Sequence, residues 1–172
     1  GEGLVKSSPH RGFIVDDLDR SDIIDIFWMQ AELSARLATH AVRSEHLADE
    51  LAALTEIVDD LESGVSSGDA AWIRDREFEF HRRVHLAANS KKLAWFLFAA
   101  TKYTPHGLYT QDEEWGVQAV ASHRRLIRHL AAGDTEAIRA EIHSRFIDAR
   151  DRLIRRLEAI GFWDDSGHPE TA

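Results

Sequence analysis

From Leu18 onward, apolar residues recur three and four positions apart, the spacing of a helix with one buried face. Ile23, Ile26, Phe27, Leu33, Leu37 and Ala41 mark the first such face, entered through Asp19 or Ser21 as N-cap. A second helix follows from Ser44, with Leu47, Leu51, Leu54, Val58 and Leu61 at near-heptad spacing, and is expected to stop at Gly64. Gly68-Asp69 then supplies a helix stop and an N-cap in two residues, opening a third helix that runs to Asn89. Ser90 restarts the chain into Leu93 to Tyr103, where Trp95, Phe96, Leu97 and Phe98 predict a piece buried on most sides, core rather than a cofactor box. Pro105 and Gly107 break it, and the segment through Gln111 is the longest irregular connection expected. A helix from about Asp112 to Ala132 precedes a second Gly-Asp step, Gly133-Asp134, and the last helix runs from Thr135 to about Ile160. The two Gly-Asp steps read as shared turn chemistry rather than as a repeat. Ahead of all this, the short apolar pairs around Pro9 and Arg11-Gly12 predict a β-hairpin with its turn near Ser7 to Gly12. The fold class is therefore all-α: an antiparallel bundle of about six helices with a short N-terminal β-hairpin.

Four polar residues interrupt the apolar faces. At about 100° per residue, Ile73, Glu77, Phe80, Val84, Ala87 and Ala88 share one arc of the third helix, with His81 at its edge. On the fifth helix Ile127 and Leu130 bracket His123, with Val120 on the same side. On the last, Arg145 falls in the middle of the stripe Ile138, Ile142, Ala149, Leu153 and Ile160, while His143 lies off to the side. Leaving a polar group buried without a partner costs roughly 2 to 7 kcal/mol, so these side chains need one another or a ligand. Glu77, His81, His123 and Arg145 are expected to converge on one polar pocket inside the bundle. The plainer alternative is a buried ion pair between Glu77 and Arg145 with two hydrogen-bonded histidines and no ligand.

Composition narrows the chemistry. A chain of 172 residues, 44% hydrophobic and 30% charged, suits one globular domain with a continuous core. No apolar run approaches the roughly 20 residues of a membrane span, and there is no signal pattern at the first residues, so the expected location is cytoplasmic. Without cysteine, its 10 histidines and 30 acidic residues are the strong metal ligands available. A formal charge of −9 argues against a broad basic face for nucleic acid.

The run EFEFHRRVHLAANSKKL, from Glu77, resembles the acidic-x-x-Phe-His signature of the FCD effector domain, found in FadR-like members of the GntR family of bacterial transcriptional regulators. SHRRLIRHLAAGD, around His123, is similar to that family's second histidine motif, and GLVKSSPHRGFIV resembles the end of a winged helix-turn-helix domain, its wing hairpin. The resemblance implies a division into residues 1–17 as wing and linker, 18–163 as the effector-binding and dimerisation domain, and 164–172 as a polar tail. It implies a small organic acid as effector, a homodimer, no membrane partner, and DNA contact through a preceding domain rather than through these residues.

Many FCD domains carry zinc or nickel on an acidic residue, the histidine four positions later and two further histidines. By matching positions, Glu77, His81 and His123 correspond to the first three ligands, and Arg145 stands where the fourth is usually His. A guanidinium offers no lone pair, and at about 5 Å from a dication, with an effective dielectric near 20, its repulsion is roughly 6 to 7 kcal/mol. His85, one turn beyond His81, could substitute as a ligand. Alternatively Arg145 itself binds an organic carboxylate through its bidentate fork, helped by His81 and His123. A second departure lies in the first helix, where Gln30 and Ser34 stand in place of the family's frequent Arg and Glu. A metal-dependent hydrolase using Glu77, His81, His85 and His123 is the alternative from another class; the chain has no HExxH arrangement and no nucleophile context to support it, and no enzyme activity is expected.

Overall fold

Asp19 opens the first helix, α1 (Arg20–Ala41), with a reciprocal cap. Its carboxylate accepts from the backbone N–H of Asp22 at 2.8 Å, while the Asp22 carboxylate accepts from the N–H of Asp19 at 3.0 Å. The computed structural model describes residues 5–8, 12–15, 18–104 and 113–163. Within these, five more helices follow: α2 (Leu47–Ser67), α3 (Ala70–Ala87), α4 (Lys91–Thr101), α5 (Glu113–Ala132) and α6 (Thr135–Ala159). Asp69 and Asp134 cap α3 and α6 by accepting from the N–H groups of Trp72 and Ala137, each at 3.0 Å. Each follows a glycine in the left-handed region, Gly68 at φ 70° and Gly133 at φ 66°, where a side chain would be strained. Two strands, β1 (Val5–Ser8) and β2 (Gly12–Val15), pair antiparallel from Val5 opposite Val15 to Ser8 opposite Gly12, the hairpin expected from sequence. The expected connection through Gln111 and the tail from Asp164 lie outside the described residues.

Two differences from the sequence reading have physical causes. The second helix does not stop at Gly64 but continues to Ser67. Gly64 is there because a Cβ on it would lie 2.6 Å from Cδ1 of Trp72, so its bareness lets α3 pack closely on α2. The aromatic piece is the larger correction. On α4 only Leu97 and Ala100 are buried, whereas Trp95, Phe96 and Phe98 are 63%, 58% and 52% exposed. A helix apolar on all sides gives no periodicity to say which face turns inward.

The core is built where the stripes meet. α1 packs most extensively on α6 and is flanked by α4 and α3, while α2 packs on α3 and α5, and α5 on α6. Phe27, Leu54, Val58, Leu61, Phe80, Leu130, Ile138 and Leu153 are all essentially inaccessible in this shared core. Each such side chain contributes roughly 1.5–3 kcal/mol by leaving water. Leu37, Ala88 and Leu97 form a separate small cluster that docks α4 against α1 and the end of α3. At one end of the bundle, Nε1 of Trp163 donates to the carbonyl of Leu18 at 3.0 Å, and Arg20 pairs with Glu158 at 2.8 Å.

Candidate functional site

Glu77 is the junction of the polar residues that the stripes carry inward. From α3 its Oε1 accepts from Nε2 of His123 on α5 at 2.8 Å, and its Oε2 accepts from Nη2 of Arg145 on α6 at 2.8 Å. His81, one turn along α3, brings its Nε2 to 3.6 Å from Oε2. All four residues therefore meet at one place. His123 is fully buried, and its ring is fixed by stacking on Phe80 at 3.8 Å between centroids and 17° between planes. Arg145 in turn lies over the indole of Trp115 on α5, with Cζ 5.0 Å from the ring centroid.

The electrostatics follow from burial and from the guanidinium. Burial pushes the Glu77 carboxyl upward, but Arg145 and the two histidines outweigh it and hold the group well below the ordinary carboxylate range. Burial pushes His123 down to about 4, against the opposing pull of Glu77, so at neutral pH the ring is uncharged. A carboxylate can only accept, so the ring proton sits on Nε2, and the charge balancing Glu77 belongs to Arg145. Nδ1 of His123 is left buried with no hydrogen-bond partner. His85 is pushed down to about 3 by burial and by His81, and its Nε2 lies 3.1 Å from Oγ of Ser34 on α1.

Beside this cluster lies a cavity of about 860 Å³ between α1, α3, α4, α5 and α6, lined by Glu77, His81, His85 and Arg145 together with Phe27, Gln30, Leu97, Trp115 and Phe146. His123 stands behind Glu77 and does not line it. Among the described residues, five Arg or Lys side chains and three acidic ones border the space, a cationic balance in a chain whose formal charge is −9. A smaller cavity of about 410 Å³, at Asp19, Arg20, Ser21 and Trp163, contains none of these groups.

Glu77, His81 and His123 each offer one ligand atom, all within 4.8 Å of one another, and could hold a metal ion. His85 is not part of that group and turns to Ser34 instead. The three donors are close enough for a metal, but both Glu77 oxygens are already engaged, one of them by a cation. His123 also lacks the acceptor at Nδ1 that orients most metal-bound histidines. As arranged, then, the three donors could hold a dication only if Arg145 released Glu77.

Sequence reasoning did not single out Trp115 and Phe146 as part of this site. Trp115 lies two turns before His123 on the buried side of α5, and Phe146 follows Arg145, so their positions beside polar inward residues were the available signal.

Solved structures with the same fold include E. coli McbR/YncC, at 18% identity and a TM-score of 0.75, covering 89% of this chain and 74% of that one. A GntR family member from Pseudomonas syringae pv. tomato str. DC3000, at 17% identity and a TM-score of 0.63, covers 91% of this chain and 66% of its own. Streptococcus agalactiae GntR is 16% identical with a TM-score of 0.60, covering 87% of this chain and 75% of its own. At such identities the likeness establishes the fold. A comparison with curated protein sequences finds no match. The FCD domain family model matches residues 25–147, well over half of the sequence and including Glu77, His81, His123 and Arg145, and the chain belongs to the FCD domain family.

Proposed function

We propose that this domain is the ligand-responsive part of a GntR-family DNA-binding transcriptional regulator, and that it takes a small organic acid in the bundle cavity. The observation that carries the reading is Arg145. Its guanidinium is backed by Trp115 and tethered to Glu77 through Nη2, and it lines a cavity whose described residues include more cations than anions. A planar fork in a poorly hydrated wall is suited to a carboxylate, and the surrounding positive balance favours entry of an anion. Glu77 holds the fork in place, and His81 and His123 steady Glu77.

Titration calorimetry of a panel of organic acids against the purified chain tests this. At least one acid should bind, and Arg145→Met should weaken it by about tenfold to a hundredfold or more, the worth of a charge-assisted hydrogen bond. Panel-wide absence of binding would remove the reading. For regulation the acid must favour one arrangement of the DNA-binding domains over another, since equal affinity for both shifts nothing. The domain is read as a cytoplasmic homodimer that does not itself hold operator DNA. Light scattering on the purified chain checks the first point; a tight, sequence-specific gel shift with it would contradict the second.

A second reading is favoured by the convergence of three donors within 4.8 Å: zinc or nickel held by Glu77, His81 and His123, with the effector completing the shell. It requires Arg145 to release Glu77. Metal content after purification without chelator, in the parent chain and in His123→Ala, distinguishes the two. No catalytic role is assigned to any of these residues.

A further inference from the structure

Gln30 sits on α1 with no accessible surface and lines the same cavity as Arg145. Its Nε2 donates to the carbonyl of Ala100 at 3.1 Å and reaches Oγ1 of Thr104 at 3.4 Å, both at the end of α4. A backbone carbonyl accepts only a donor, so the amino end of the amide must face α4 and the orientation is fixed by chemistry. That leaves Oε1 as the free end, and this oxygen is buried with no hydrogen-bond partner. A buried acceptor left unpaired is costly, and protein structures rarely keep one without a reason.

Among the described residues no donor reaches it. Phe27 and Phe146 are hydrocarbon, packed edge to face at 6.4 Å between centroids. The hydroxyl one turn along α1, on Ser34, is already engaged with His85 at 3.1 Å. We infer that Gln30 is a specificity-determining residue of the cavity, and that its effector is a carboxylate that also carries a neutral donor, an alcohol O–H or an amide N–H, on an apolar frame. This rests on the effector reading given above. Arg145 takes the anionic group, Oε1 of Gln30 accepts from the donor, and the phenylalanine and leucine side chains cover what lies between. The donor is read by exclusion: an acid without it leaves Oε1 unpaired in the complex, whereas an acid with it relieves a cost already present in the free domain.

Four acids test this by titration calorimetry on the purified chain: phenylpropanoate, its para-hydroxy derivative, phenyllactate and N-acetylphenylalanine. At least one donor-bearing acid should bind the parent chain about tenfold or more tighter than phenylpropanoate, the discrimination expected of one buried hydrogen bond. In Gln30→Met that gap should close. A gap that persists in Gln30→Met, or no gap in the parent chain, overturns the role of Gln30. If phenylpropanoate binding still depends on Arg145 in that case, the effector reading survives alone; if none of the acids binds the parent chain, both fall. Should Gln30→Met fail to fold, the side-chain amide resonances of Gln30 in the parent chain serve instead. They should shift with the favoured acid and stay in place with phenylpropanoate, and equal responses to both would overturn the assignment.

Discussion

Nη2 of Arg145 lies 2.8 Å from Oε2 of Glu77, an ion pair that joins α6 to α3 at the wall of the cavity with 14% and 10% of the two side chains exposed. Such a pair holds geometry more than it adds stability, because each charge gives up most of its water to make it. Its two halves are therefore unequal to their sum.

Removing one half should be far worse than removing both. Glu77→Ala leaves Arg145 with no opposite charge and His123 with no acceptor, and should cost about 3–5 kcal/mol. Glu77→Leu combined with Arg145→Met should recover most of that loss. Urea unfolding followed by circular dichroism at neutral pH reads both; a Glu77→Ala midpoint equal to the parent's would mean the pair is solvated.

Arg145 also sets metal affinity. Arg145→His supplies a fourth donor and removes a cation beside the Glu77, His81 and His123 group. The variant should bind zinc about a hundredfold or more tighter than the parent, a modest share of the roughly 6 to 7 kcal/mol of repulsion removed. Competition against a chromophoric chelator measures it, and equal affinities would show that Arg145 does not oppose the metal.

Part of the acid sensitivity should be traceable to Glu141, which ties α6 to α5. Its Oε1 accepts from Oγ of Ser122 at 2.6 Å and from Nη2 of Arg125 at 2.9 Å, and its Oε2 from Nε of Arg125 at 2.8 Å. Burial raises its pKa, but Arg125 and Ser122 prevail and the net shift is downward. The unfolded chain thus takes up the proton first as pH falls. The contribution is whole above the ordinary carboxylate value and is lost as pH drops through the depressed folded value. Glu141→Gln should be about 1 kcal/mol less stable at neutral pH, with the difference from the parent shrinking in acid. A difference that stays constant from neutral pH into acid would exclude Glu141 as a contributor.

Gly64→Ala pits two known effects against each other. Alanine is favoured over glycine in a helix interior by about 1 kcal/mol, yet the new Cβ would stand 2.6 Å from Trp72. That indole is held by its Nε1 donating to the carbonyl of Asp60 at 3.0 Å and by the guanidinium of Arg76, 4.6 Å from the ring centroid. The clash should prevail, with a net loss of about 1–3 kcal/mol typical of overpacking. A higher melting temperature for the variant would show that Trp72 moves aside freely.

Periodicity by itself fixed which way most side chains face, because leaving water is decided one helix at a time. Hence the caps at Asp19, Asp69 and Asp134, the buried stripes, and the inward turn of Glu77, His123 and Arg145 could be read from spacing alone. What one helix presents to another is not encoded that way. Trp95, Phe96 and Phe98 look like core in sequence and lie exposed, since a short helix apolar all round has no preferred inner face until neighbours choose it. Only tertiary packing decided that Glu77 meets Arg145, that His85 turns to Ser34, and that Gln30 ends with one amide atom satisfied and the other bare beside a cavity. Those outcomes depend on inter-helix distances of a few ångströms, set by the volumes of many side chains together, and no single stretch of sequence carries them.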